Sequence, residues 1–155
     1  MEAKYLFAGA GIIIVLIYAF GSGIWVSSSP GWYSSLNRPP WQPPSYIFGI
    51  IWPYNFIVLG IAAVTIAQRA TTTTTLIYLS FFALSVACAL IWAYQFYRPH
   101  NLEFAVIALF GTALLTLPML VIAFRTSIPI GIALVPYQVW VATAATLSYQ
   151  YSKLN

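Results

Sequence analysis

The sequence predicts an all-α membrane protein: one domain of five transmembrane helices, with a long loop rich in proline and tryptophan between the first two. Three observations predict it. Of the 155 residues, 61% are hydrophobic and only 5% are charged, too few charges to cover a soluble globule. Five apolar runs each reach the length of about 20 residues that a helix needs to cross the hydrocarbon core. All charged residues fall at or beyond the ends of those runs, as the cost of burying charge in lipid demands. The alternating strands of a membrane β-barrel are not found.

The first run covers about residues 5–26. Its position invites a signal-peptide reading, but Glu2 cancels Lys4 and the run is too long, so it is read as a retained helix. Next comes the loop, residues 27–44, the one long linker in the chain and so the place to look for function. Between Trp32 and Pro44 it holds two tryptophans, Tyr33 and four prolines. Each proline fixes φ, removes a backbone donor and biases its predecessor away from the helical region. The segment therefore cannot continue either helix and loses little entropy on adopting one shape. It reads as a stiff, amphipathic lid over one end of the bundle.

The second run spans about residues 46–68 and the third about 76–97, joined by the five threonines 71–75, whose hydroxyls can cap the third helix. Asn101 is the expected N-cap of the fourth run, residues 102–124, with Glu103 favourably placed in its first turn. Thr126 and Ser127 are expected to cap the fifth, residues 128–151, with Pro129 in its first turn. Five spans put the termini on opposite sides. Lys4, Arg69 and Arg125 then share one side and Arg38, Arg98 and Lys153 the other, three against three, so charge does not set the orientation.

Composition also excludes function classes. The net charge is +4, but the bases are single and scattered, which excludes nucleic acid as a partner. Cys88 is the only cysteine, so no intrachain disulfide forms. With one histidine, no aspartate and no acid inside a span, acid–base pairs, proton relays and metal clusters are lacking. His100 and Cys88 are rejected as axial haem ligands, being a loop histidine and a lone cysteine in an apolar run.

Helical spacing groups the remaining polar and aromatic residues. The fifth span carries Tyr137, Trp140, Ala144, Leu147, Ser148 and Tyr151 on one face; the second carries Phe48, Trp52, Asn55, Phe56 and Leu59; the third adds Ser85, Ala89, Trp92 and Gln95. Asn55 and Gln95 must face the interior and find partners, and each follows a tryptophan by three residues, so Trp52 and Trp92 point inward too. Trp25 is read as an interfacial anchor only. Pro53, Pro118 and Pro136 are candidates for kinks that widen a cavity. Ala83 and Ala87 form a small-xxx-small pair suited to close helix contact between two copies.

These residues resemble the translocator protein family, also called tryptophan-rich sensory proteins or peripheral-type benzodiazepine receptors. The loop matches its pattern at Trp32, Tyr33, Leu36, Arg38, Pro39, Trp41, Pro43 and Pro44, and the match continues through Phe48, Gly49, Trp52 and Gly60. The fifth span matches at Pro136, Tyr137, Trp140, Ala144 and Leu147. Ala89 and Ser148 stand where the family usually has asparagine, which removes amides from the expected pocket. The resemblance implies a five-helix bundle, often a homodimer, that binds porphyrins, sterols and isoquinoline carboxamide drugs beneath the loop. It implies a plasma membrane with the N-terminus inside. It implies no required cofactor, with protoporphyrin IX or haem as ligand.

The expected ligand-binding residues are Trp32, Tyr33, Trp41, Phe48, Trp52, Asn55, Trp92, Gln95, Tyr137, Trp140 and Ala144. Leu147, Tyr149 and Lys153 satisfy a permissive sterol pattern, as do Leu90, Tyr94 and Arg98. Three functions are consistent with this reading. The first is binding of porphyrin-like ligands in transport, sensing or stress response. The second is light-dependent degradation of protoporphyrin IX, with Trp52 and Trp140 as the catalytic indoles. The third is a structural membrane subunit.

Overall fold

The structure, a computed structural model, describes residues 2–155 and consists of six helices: α1 (Glu2–Val26), α2 (Pro30–Ser35), α3 (Ser45–Arg69), α4 (Thr72–Tyr97), α5 (Leu102–Thr126) and α6 (Ile128–Leu154). All except α2 are long and apolar enough to cross a membrane. At 1.5 Å per residue a 25-residue helix such as α1 is about 37 Å long, which exceeds the hydrocarbon thickness. The protein is an integral, multi-pass membrane protein.

The five long helices close a ring in the order α1, α4, α5, α6, α3 and back to α1. Chain direction makes α1 and α4 the one parallel pair among neighbours in this ring. Apolar side chains such as Leu6, Phe20, Ile57, Leu114 and Ile132 are exposed around the outside, where acyl chains would cover them. Ala83 and Ala87 lie on the exposed face of α4.

In the half of the bundle away from the loop, the interior is filled. Leu59, Ala62, Ala63, Ile66, Tyr78, Phe82, Met119, Ala123 and Leu134 form a continuous buried core. Small residues permit the close approach: a Cβ on Gly11 would lie 2.5 Å from the Cβ of Ala63, so α1 and α3 touch almost backbone to backbone there. On the other side the ring of Phe124 lies over Gly131, 2.4 Å from where a Cβ would sit.

The ends of the helices mostly follow their capping residues. Thr71 accepts a hydrogen bond from the Thr74 N–H at 3.2 Å, which starts α4 inside the threonine tract rather than at residue 76. Asn101 accepts from the Phe104 N–H at 3.1 Å, as expected. The expected Thr126–Ser127 cap is not made: Thr126 belongs to α5, and the Ser127 side chain makes no capping bond.

Pro53, Pro118 and Pro136 all lie inside unbroken helices. Neighbouring helices serve carbonyls near two of them. Gln138 Nε2 donates to the Ala113 carbonyl at 3.0 Å, and the Tyr54 hydroxyl donates to the Ala133 carbonyl at 2.7 Å. Both bonds tie helices together at turns that proline loosens.

Candidate functional site

In the other half of the bundle the helices stand apart around a cavity of about 520 Å³, in the size range of small-molecule sites. Its wall takes Tyr18, Ser22 and Val26 from α1; Phe48, Trp52 and Phe56 from α3; Ala89, Trp92, Phe96 and Tyr97 from α4; and Leu109 from α5. Helix α6 contributes Trp140, Val141, Ala144, Leu147, Ser148 and Tyr151, a face that recurs every three or four residues. Pro30, Tyr33, Arg38 and Gln42 of the loop close the top.

The rings hold one another in place. Tyr18 meets Trp52 and Phe56 edge-on at 5.9 and 5.4 Å, Trp52 stacks on Phe56 at 5.6 Å, and Phe48 meets Trp140 edge-on at 5.1 Å. The Trp92 indole N–H donates to Ser148 Oγ at 3.2 Å, so this serine is an acceptor on the cavity wall. The Trp140 indole N–H has no hydrogen-bond partner among the described residues.

The loop contains one element that its prolines concealed, the six-residue helix α2. Pro30 opens it at a position where the missing N–H costs no hydrogen bond. The lid is fastened at two places. Towards α4, Ser29 donates to the Tyr97 carbonyl at 3.0 Å, and Trp32 stacks face to face on His100 with 3.7 Å between centroids and 8° between planes. His100 adopts φ 59°, the left-handed region, where histidine is among the more tolerated non-glycine residues. Towards α6, the Asn37 N–H donates to Asn155 Oδ1 at 2.9 Å, Asn155 Nδ2 returns a bond to the Asn37 carbonyl at 3.2 Å, and Asn37 Nδ2 reaches the Leu154 carbonyl at 3.2 Å. Beside this clasp the Tyr151 hydroxyl bonds to Gln42 Oε1 and lies 3.3 Å from the Tyr33 hydroxyl.

Of the residues expected from sequence, Tyr33, Phe48, Trp52, Trp92, Trp140 and Ala144 line the cavity together. Trp32 supports the lid from the side through His100, Phe96 and Tyr97 instead of facing the cavity. Trp41 is exposed on the outer surface of the loop. Asn55 is fully buried as expected, but it lies off the cavity wall, and neither amide atom has a partner among the described residues. Tyr137 is buried in the core of the filled half. Gln95 is half-buried and off the cavity, and its backbone carbonyl accepts from the Asn101 N–H at 2.9 Å. Trp25 packs edge-on against Tyr94 at 5.6 Å, away from the cavity.

The residues of the sterol pattern diverge. Leu147 faces the cavity, whereas Tyr149 is exposed with the Lys153 ammonium 5.4 Å from its ring centroid. Sequence reasoning missed Tyr18, Ser22, Arg38 and Gln42 as lining residues. A signal exists for two of them: Gly11, Val15, Tyr18 and Ser22 recur at helical spacing and mark the inner face of α1.

Comparison with known proteins gives a consistent result. The family model that matches this chain, over residues 10–154, is that of the TspO/MBR family. Protein CrtK of Rhodobacter capsulatus is 30% identical over 129 residues, covering 82% of this chain and 81% of its own. The tryptophan-rich sensory protein of Cereibacter sphaeroides is 26% identical over 124 residues, 80% of this chain and 77% of its own. The translocator protein of Bos taurus is 26% identical over 121 residues, 77% of this chain and 72% of its own.

Proposed function

The chain belongs to the TspO/MBR family, and we propose that its cavity binds flat apolar ligands of the tetrapyrrole type, protoporphyrin IX or haem, in transport, sensing or stress response. The observation that carries this reading is the 520 Å³ aromatic cavity under a lid fastened to α4 and α6. A planar conjugated ring gains dispersion and stacking energy against Trp52, Phe48, Trp92 and Trp140, and the Trp140 N–H offers a donor to a ligand acceptor. Other apolar ligands, isoquinoline carboxamides and sterols, belong to the same proposal. So do a plasma-membrane location with the N-terminus inside and pairing of two copies through the Ala83–Ala87 face of α4. No cofactor is needed for binding.

Titration of the purified protein with protoporphyrin IX tests it. Tryptophan fluorescence should quench saturably, and Trp52→Phe or Trp140→Phe should weaken binding by up to about tenfold, or about 1.4 kcal/mol. Trp25→Phe, away from the cavity, should bind as the wild type does. Unchanged binding in the first two variants, with a loss in the third, would move the site elsewhere.

A second reading, light-driven degradation of bound porphyrin, is favoured by the placement of the oxidisable indoles of Trp52 and Trp140 on the cavity wall. It requires that illumination convert bound pigment to a discrete product faster than free pigment in detergent, and that both tryptophan variants slow this. Bleaching at the detergent rate leaves binding alone.

A further inference from the structure

We propose that Arg38 makes the cavity selective for apolar molecules that carry an anionic group, above all a carboxylate, at the end facing the lid. The inference rests on the reading of the cavity as a ligand site. Arg38 is the one charged side chain among the described residues that line it, and none of those residues is acidic. The chain has only two acids, Glu2 and Glu103, which lie in the first turns of α1 and α5. Glu103 lies at the lid end of the bundle, but neither acid lines the cavity, so the guanidinium carries the one formal charge among the described residues of the wall.

Its position is built rather than incidental. Asn37, the residue before it, is fixed by three hydrogen bonds to the C-terminal end of α6. Pro39, the residue after it, is buried and restricts the Arg38 backbone to extended conformations. The guanidinium carbon lies 5.9 Å from the centroid of the Tyr33 ring, itself part of the wall, so the cation is held over an aromatic face. Close by, Gln42, Tyr33 and Tyr151 form a polar cluster at the same end. One end of the chamber is thus polar and cationic, and the remainder is lined by rings and aliphatic groups. That polarity matches an amphiphile whose ring system lies between Trp52 and Trp140 and whose carboxylate reaches the guanidinium, which can grip it with two parallel bonds.

Arg38 is exposed, so the attraction is screened by water and salt and its effect on affinity is modest. The expected selectivity is threefold to about tenfold. The experiment compares protoporphyrin IX with its dimethyl ester, which keeps the ring and lacks the charges, in a neutral detergent. Wild type should bind the diacid several-fold more tightly, and the preference should shrink in high salt. Arg38→Gln should weaken the diacid alone and erase the preference, while Arg38→Lys should keep part of it.

Equal affinity of wild type for diacid and ester overturns the proposal and leaves the cavity reading intact. So does an equal loss for both ligands in Arg38→Gln. Saturable binding of neither ligand overturns both. Added phosphatidylglycerol separates the remaining source of anions: if it abolishes the preference, the guanidinium serves a lipid headgroup and the proposal fails. An unchanged preference supports it.

Discussion

The two halves of this bundle are made from the same five helices and reach opposite ends of packing. In the half away from the loop, Gly11, Ala62, Ala63, Ala67 and Ala123 let the helices approach until their backbones nearly touch, and Tyr78, Phe82 and Met119 fill what is left. In the half under the loop, Phe48, Trp52, Trp92, Phe96, Trp140 and Tyr151 hold the helices apart, and the space between them stays open. Lipid supplies no hydrophobic force to draw helices together, so contact geometry decides how close they come. Small side chains close one half; large rings braced against one another keep the other open. The division lets a membrane bundle be rigid and hollow at once, because the close packing of one half leaves the other free to stay open.

The largest effect should come from breaking the filled half. Gly11→Leu forces a side chain into a contact where even a Cβ lies 2.5 Å from Ala63, with the Ala63 Cα close behind. The neighbour is backbone-rooted and cannot swing away, so overpacking should cost about 3 kcal/mol. Thermal unfolding in detergent should show a markedly lower midpoint, and the fraction that remains folded should bind protoporphyrin IX with an affinity within about twofold of wild type. Lost binding in a protein of unchanged stability would mean that the halves are not independent.

An intermediate effect should come from opening the hollow half. Asn37→Ala with Asn155→Ala removes three hydrogen bonds that pin the lid to α6. The Asn37 N–H and carbonyl are exposed and find water in the variant, so stability should fall by no more than about 1 kcal/mol. Ligand dissociation, followed by stopped-flow fluorescence, should accelerate by up to about tenfold, since a loosened cover raises the off-rate first. A collapsed melting point with an unchanged off-rate would make the clasp a structural staple of the whole bundle.

How far the sequence could be read follows the same division. The five spans were legible because lipid imposes one length and one polarity on every helix, and Asn101 was legible as a cap because its chemistry is local. The inward faces of α3, α4 and α6 were legible from 3,4-spaced aromatics, and six expected binding residues do meet at the cavity. Depth along the helix was not legible. Tyr137 shares the inner face of Trp140 but falls in the filled half, because spacing specifies a face and says nothing of where the helices part. Asn55, in contrast, is buried off the wall although Trp52 and Phe56 on either side of it line the cavity. Within the loop, proline forbade continuation of either flanking helix and thereby hid α2, which proline itself begins. Trp41 matched the loop pattern but turned outward, and Arg38 and Gln42 were cavity residues with no periodicity to reveal them.

The smallest effect sharpens the comparison most finely, since it sets two N-caps of similar chemistry against each other at opposite ends. Thr71 caps α4 at the filled end and Asn101 caps α5 at the hollow end. Replacing either with alanine removes one hydrogen bond to a helix N-terminus and should cost about 1 kcal/mol of stability. Binding should tell them apart. Asn101 directly follows His100, whose left-handed backbone presents its ring to Trp32 of the lid at 3.7 Å, and the Asn101 N–H is also bonded to the Gln95 carbonyl at 2.9 Å. Loosening that turn lowers the seat on which the lid rests. Asn101→Ala should therefore raise the ligand off-rate about twofold to threefold at the same small loss of stability, whereas Thr71→Ala should leave the off-rate unchanged. Equal off-rates in the two variants would show that the stack of Trp32 on His100 does not hold the lid, which then rests on its hydrogen bonds to α4 and α6.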